Sequence, residues 1–147
     1  MKRRRQLFIV LGGLLLLVVI TLLGSSLESW IPQQPSAAIQ NTQAGPYAVT
    51  LQVAPNPPTV GHNVELTLQI VQSASHRLIS HATLTVNATM QEMDMGTAVS
   101  TASESPQSPG LYHVQTQLSM RGAWTIDVAI ARPGVPTKHA QFTLTAQ

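Results

Sequence analysis

No cysteine occurs among the 147 residues. That absence excludes disulfide staples, thiolate zinc sites, thiol nucleophiles and lipid carried on a cysteine. Aromatic residues are scarce at 4% and charged residues at 10%, against roughly 25% charged in an ordinary soluble chain. The net charge of +2 misleads about where the charge lies, because Lys2, Arg3, Arg4 and Arg5 carry half of the eight basic side chains. Beyond them Arg77, Arg121, Arg132 and Lys138 stand against Glu28, Glu65, Glu92, Asp94, Glu104 and Asp127, four cations against six acids and a net of −2. A weakly acidic remainder argues against nucleic-acid binding through a basic patch.

Recognisable catalytic groupings are missing as well. His62, His76, His81, His113 and His139 have no nucleophile with a supporting acid in a local arrangement, and the six acids are widely scattered. There is no glycine-rich phosphate loop, and Ser103-Glu104-Ser105, placed in a loop, resembles no nucleophile elbow. The expectation is a protein that is not an enzyme.

What is present begins with a long apolar run. Leu7 to Leu23 is uncharged for seventeen residues, near the lower limit of about 17 to 25 for a membrane-spanning helix and longer than the usual apolar core of a cleaved signal. Four cations before the run and none just after it place the N-terminus in the cytoplasm. The expected order is a basic tail at 1–6, a single-pass anchor at 7–24 and a flexible tether at 25–45, rich in Ser, Gln, Pro and Ala. An exported domain follows at 46–147. A cleaved signal is the alternative, and the domain is extracytoplasmic either way.

From Pro46 the chain alternates apolar and polar residues. Tyr47, Val49, Leu51 and Val53 form one such run, followed by Val64, Leu66, Leu68 and Ile70, then Leu84, Val86, Ala88 and Met90. Tyr112, Val114, Leu118 and Met120 form the next, then Trp124, Ile126, Val128 and Ile130, and last Phe142 and Leu144. Period-two patterns rich in Val, Thr and Ile mark strands with one face inward. Turn residues separate them: Pro55 to Pro58 with Gly61, Ser105 to Gly110, Arg121-Gly122 read as a tight hairpin, and Pro133 to Pro136. A weakly patterned edge strand is expected near Thr97 to Ala102. The fold class that follows is all-β, an immunoglobulin-like antiparallel β-sandwich preceded by one N-terminal transmembrane helix.

Methionine is the unusual feature. Apart from the initiator, all four methionines are Met90, Met93, Met95 and Met120, three of them within six residues. Thioethers are soft donors that suit Cu(I) and compete poorly for zinc or magnesium. Met90 continues the inward register of its strand and reads as core, as does Met120. Met93 and Met95 lie past the strand, where ligation and gap-filling are both open. His113 has the opposite parity to Met120, so the two meet only across a bulge or a strand end. The other four histidines read as surface or turn residues.

Three stretches together resemble a known family. Pro57-Pro58-Thr59-Val60-Gly61-His62-Asn63 leads into a strand, Gly110-Leu111-Tyr112 opens another, and Met120-Arg121-Gly122-Ala123-Trp124 starts a third. Over about residues 46 to 145 the chain resembles the YtkA-like domain, related to FixH-type proteins. The resemblance implies an exported or membrane-anchored module tied to copper handling or to assembly of copper-containing respiratory oxidases. The chain departs from the family pattern at Met90-Gln91-Glu92-Met93, which lacks a proline, and at Thr97, where many relatives carry histidine after the glycine. The expected metal ligands are therefore Met93 and Met95, with His113 or another exposed histidine and Met120 as further candidates. The expected cofactor is copper, and the expected partners are the membrane and a complex such as a copper oxidase or transporter. A module that docks on such a complex without metal is the alternative.

Overall fold

In the described part of the chain, every apolar run named above contributes a strand, although Leu118 and Met120 fall past the end of theirs. The computed structural model describes residues 35–92 and 97–147. The basic tail, the anchor at 7–24, the start of the tether, and Met93 and Met95 lie outside the described residues. Among the described residues no helix is long and apolar enough to cross a membrane.

Eight strands follow in order: β1 (Ile39–Ala44), β2 (Tyr47–Ala54), β3 (Asn63–Gln72), β4 (Thr83–Met90), β5 (Thr97–Glu104), β6 (Leu111–Gln117), β7 (Gly122–Arg132) and β8 (Val135–Ala146). All pairings are antiparallel, and the strand order is β1-β2-β3-β6-β5-β4-β7-β8. β1, β2, β3 and β6 make one layer, while β4, β7 and β8 make the other. β5 belongs to both: Thr97–Ala102 pairs with β4, and Ser103 and Glu104 pair with β6. The result is a β-sandwich-type fold whose two layers are stitched by one shared strand.

The core is the inward set expected from the alternation. Val64, Leu66, Leu68 and Ile70 of β3 are fully buried, as are Leu84 and Ala88 of β4 and Ile126 and Val128 of β7. They join one cluster with the inward residues of β2, β6 and β8, because each layer can remove its apolar face from water only against the other. Thr116 also points inward, at 6% exposure, which completes the β6 alternation between Val114 and Leu118.

Three expectations need correction. Ile39–Ala44, expected to lie within the flexible tether at 25–45, is strand β1. That strand is mostly exposed and carries no apolar alternation, because backbone pairing with β2 and side-chain ties to β8 hold it. Gln40 Nε2 donates to Thr143 O at 2.8 Å, and Thr145 N donates to Ser36 Oγ at 3.2 Å. The strand at Thr97 to Ala102 pairs there with β4 alone, an edge as expected, but it continues to Glu104, which pairs with β6 and so is a strand residue and not part of a loop. Arg121-Gly122 is not a hairpin: β6 pairs with β3 and β5, β7 pairs with β4 and β8, and the turn carries the chain from one layer to the other. Two adjacent alternating runs look the same whether they pair or cross over, since burial alternates identically in both cases.

Candidate functional site

One end of the sandwich gathers the methionines that the structure describes. Met90 is the last residue of β4, lies opposite Trp124 of β7, and is 5% exposed. Its Cε lies 2.8 Å from where a Cβ on Gly122 would stand, and Gly122 has φ +133, so glycine leaves room for the thioether. The Trp124 indole N–H donates to the Met120 carbonyl at 3.1 Å, and Met120 packs partly buried against the core. Gln91 N donates to Ala123 O at 3.0 Å and continues the ladder past β4. Met90 and the Met120 backbone are therefore both neighbours of Trp124, at the end of the sandwich where Glu92 and Thr97 flank 93–96.

His113 does not join them. It sits on the outward face of β6, half exposed, with Nδ1 3.2 Å from Glu65 Oε1 and 3.2 Å from Thr67 Oγ1. From His113 to Gln117 is about 13 Å of strand at roughly 3.3 Å per residue, and Met120 lies three residues beyond on the opposite parity. No bulge interrupts β6 to turn the imidazole around; its partners run in step with β3 from Gln69 to Asn63.

The histidine whose loop lies at the same end of the sandwich as Met120 is His62. Gly61 N donates to Leu118 O at 2.9 Å, and Asn63 pairs with Gln117, so the β2–β3 loop leans on the chain just before Met120. His62 is exposed there, with Nδ1 3.1 Å from Val60 O. The sequence signal was present in the Pro57 to Asn63 lead-in, but it could not show which strand end the loop would touch. His139 is paired at 3.0 Å with Asp127 on the β7–β8 surface. His76 and His81 are exposed turn residues, as expected of them.

The opposite end holds a polar network that the sequence did not suggest. Glu104 accepts from Gly110 N at 2.8 Å and from His81 N at 2.9 Å. These two N–H groups, the one from Gly110 first, stabilise the carboxylate and hold its pKa below the ordinary glutamate value. Tyr112, at 1% exposure, donates its hydroxyl to Ile79 O at 2.9 Å and accepts from Ala82 N at 3.1 Å. Burial is the main cause that pushes its pKa up.

Among the described residues no group of three or more His, Asp or Glu side chains is placed to hold a metal ion. Thioether sulfur, the donor that Met120 offers at its end of the sandwich, suits a soft monovalent ion better than zinc or magnesium.

The YtkA-like family model matches residues 41–129, from within β1 to within β7. No curated protein matches the chain. Among solved structures, a DUF4426 family protein from Pseudomonas aeruginosa PAO1 is similar at 14% identity, over 74% of this chain and 94% of that one, with a TM-score of 0.49.

Proposed function

The chain belongs to the YtkA-like family, and from that premise we propose that it is a non-catalytic, membrane-anchored extracytoplasmic module that binds or delivers Cu(I). The observation that carries the copper reading is that Met90, at the end of β4, and Met120, whose carbonyl takes the Trp124 indole N–H, lie at the end of the sandwich that flanks 93–96. Met93 and Met95, with Met120 as a third sulfur and His62 as the imidazole, would hold the ion. A thioether set of this kind binds cuprous ion while leaving divalent zinc to harder ligands. The apolar run at Leu7 to Leu23 behind four cations supports the anchor. The strand order β2-β3-β6-β5 beside β4-β7-β8 supports an immunoglobulin-like reading of the sandwich.

The test is a Cu(I) titration of the full chain in detergent micelles, under anaerobic reducing conditions, against a chromogenic Cu(I) chelator. One ion retained per chain is expected. It should be lost in the Met93→Ala, Met95→Ala double variant, weakened in His62→Ala and unchanged in His113→Ala. A chelator that strips all copper at micromolar concentration overturns the carrier reading.

A second reading, docking on a membrane complex such as a copper oxidase or transporter, draws on β5. Over Thr97–Ala102 that strand pairs with β4 alone, carries no charge, and exposes Val99 at 64%. Natural edge strands are normally blunted with charge or proline, because an open edge recruits a further strand. Val99→Lys should then abolish co-purification with the partner complex while leaving the melting temperature within about 1 °C, as surface changes do. Undiminished co-purification would remove the edge from consideration.

A further inference from the structure

We propose that the shallow cavity formed by Gln72, Arg77, Leu78, Ser80 and Arg132 is a binding site for a carboxylate carried on a short aliphatic stem. The cavity has a volume of about 230 Å³ and opens at the end of the sandwich opposite the methionines. Its walls come from the last residue of β3, the β3–β4 connection and the last residue of β7.

Charge is concentrated there. Within Gln34–Gln147 the acids Glu65, Glu92, Asp94, Glu104 and Asp127 outnumber four cations, yet two of those four cations line this one cavity. Among the described residues the ion pairs belong to His81, His113 and His139, and neither arginine has a carboxylate partner. Arg132 reaches only the Tyr47 hydroxyl, at 3.4 Å, out of five guanidinium N–H donors. The one acid nearby, Glu104, is occupied by the backbone N–H groups of His81 and Gly110.

The connection is also held in an uncommon backbone conformation. His76 at φ 55 and His81 at φ 56 bracket Arg77–Ser80, and left-handed backbone at a residue with a side chain persists only where its surroundings enforce it. Here they do. Gln72 N donates to Arg77 O at 2.8 Å, Ile79 N to Ile70 O at 2.9 Å, and the Tyr112 hydroxyl to Ile79 O at 2.9 Å. The backbone is thus fixed from inside, and the side chains of Arg77, Leu78 and Ser80 are left to the outside.

The chemistry follows from the lining. Two arginines, a glutamine and a serine supply donors to one cavity whose backbone is fixed, and a guanidinium fork matches the two oxygens of a carboxylate. Leu78, half exposed at the rim, offers contact to an aliphatic stem, which inorganic phosphate does not have. The volume lies below the roughly 300 to 1,000 Å³ of drug-sized sites, so the ligand is small, either a free short-chain acid or one acidic side chain.

The inference is independent of the copper reading. It is tested by nuclear magnetic resonance on the full chain in micelles, titrated with succinate and, separately, with doubly blocked glutamate. Saturable shifts confined to Gln72, Arg77–Ser80 and Arg132 are expected, weakened at least tenfold in Arg132→Gln and in Arg77→Gln. Arg77 is exposed and unpaired with any described acid, so its variant keeps the fold and tests the site if Arg132→Gln disturbs it. Tighter succinate identifies a free acid as the ligand, and tighter blocked glutamate identifies a side chain. Shifts that stay linear, that persist in both variants, that succinamide reproduces, or that inorganic phosphate displaces at equal concentration overturn the proposal.

Discussion

Tyr112→Phe isolates one hydroxyl in the buried interior. The ring stays, so the apolar burial of Tyr112 is unchanged, and only two hydrogen bonds are lost. They are the 2.9 Å donation to Ile79 O and the 3.1 Å acceptance from Ala82 N. Ile79 is 6% exposed, so its carbonyl finds no water to replace the phenol. Ala82 is only partly buried, and its N–H recovers some solvation. An unsatisfied buried group costs about 1 to 3 kcal/mol, which places the net loss at about 2 kcal/mol. For a domain of this size that corresponds to a fall in melting temperature of roughly 8 °C. Circular dichroism melts and urea midpoints at unchanged m measure it. Hydrogen exchange should accelerate at Ala82 before it does at Leu66. The alkaline limb gives a second check: the fold favours the neutral phenol, so stability declines as pH rises above about 10, and the phenylalanine variant lacks that decline. A loss below about 0.5 kcal/mol, with exchange at Ala82 unchanged, would refute the claim that this hydroxyl ties the β3–β4 connection to β6.

Glu104 makes the opposite prediction on the acid side. Its carboxyl pKa is lowered, so its contribution is present above the ordinary glutamate value of about 4.3 and is lost as pH falls below it. Glu104→Gln should flatten the fall in urea midpoint between pH 6 and pH 3, and an unchanged slope would contradict this. Gly110→Ala and Gly134→Ala separate backbone strain from crowding. Both sites have positive φ, but a Cβ at 110 would stand 2.8 Å from Leu78 Cβ, whereas nothing lies within 4 Å at 134. Gly134→Ala should cost about 1 to 2 kcal/mol and Gly110→Ala measurably more by denaturant titration; equal costs would remove the crowding argument. Deleting residues 1–45 strips β1 from β2, and compared with deletion of 1–34 should lower the urea midpoint by about 1 M, from roughly 2 kcal/mol of lost pairing. Coincident transitions would show β1 to be dispensable.

The strand interiors were legible because the period of two is a local property. Whether Leu84, Val86 and Ala88 point inward depends only on the alternation of successive Cβ atoms, and the layers then have one way to bury them. Family membership was legible for a related reason: Gly110, Tyr112, Gly122 and Trp124 are local solutions to turning the chain and filling the core. β1 was missed because backbone pairing with β2 and polar side-chain ties to β8 hold it, and neither leaves an apolar alternation in the sequence. Pairing was missed at Arg121-Gly122 because alternation carries no information about which neighbour a strand chooses.

The candidate sites divide in the same way. Composition alone shows that the candidate soft donors are methionines, that no thiol competes with them, and that the chain beyond its basic N-terminus is weakly acidic. It could not determine which imidazole shares an end with them, since His62 and Met120 are separated by 58 positions in the chain and only the Gly61–Leu118 hydrogen bond brings their segments to the same end. Nor could it bring Arg77 beside Arg132, or bring Glu104 and Tyr112 to the same connection. Those neighbours come from three strands and the β3–β4 connection, and their proximity is a consequence of strand order, which long-range pairing decides and no window along the chain records.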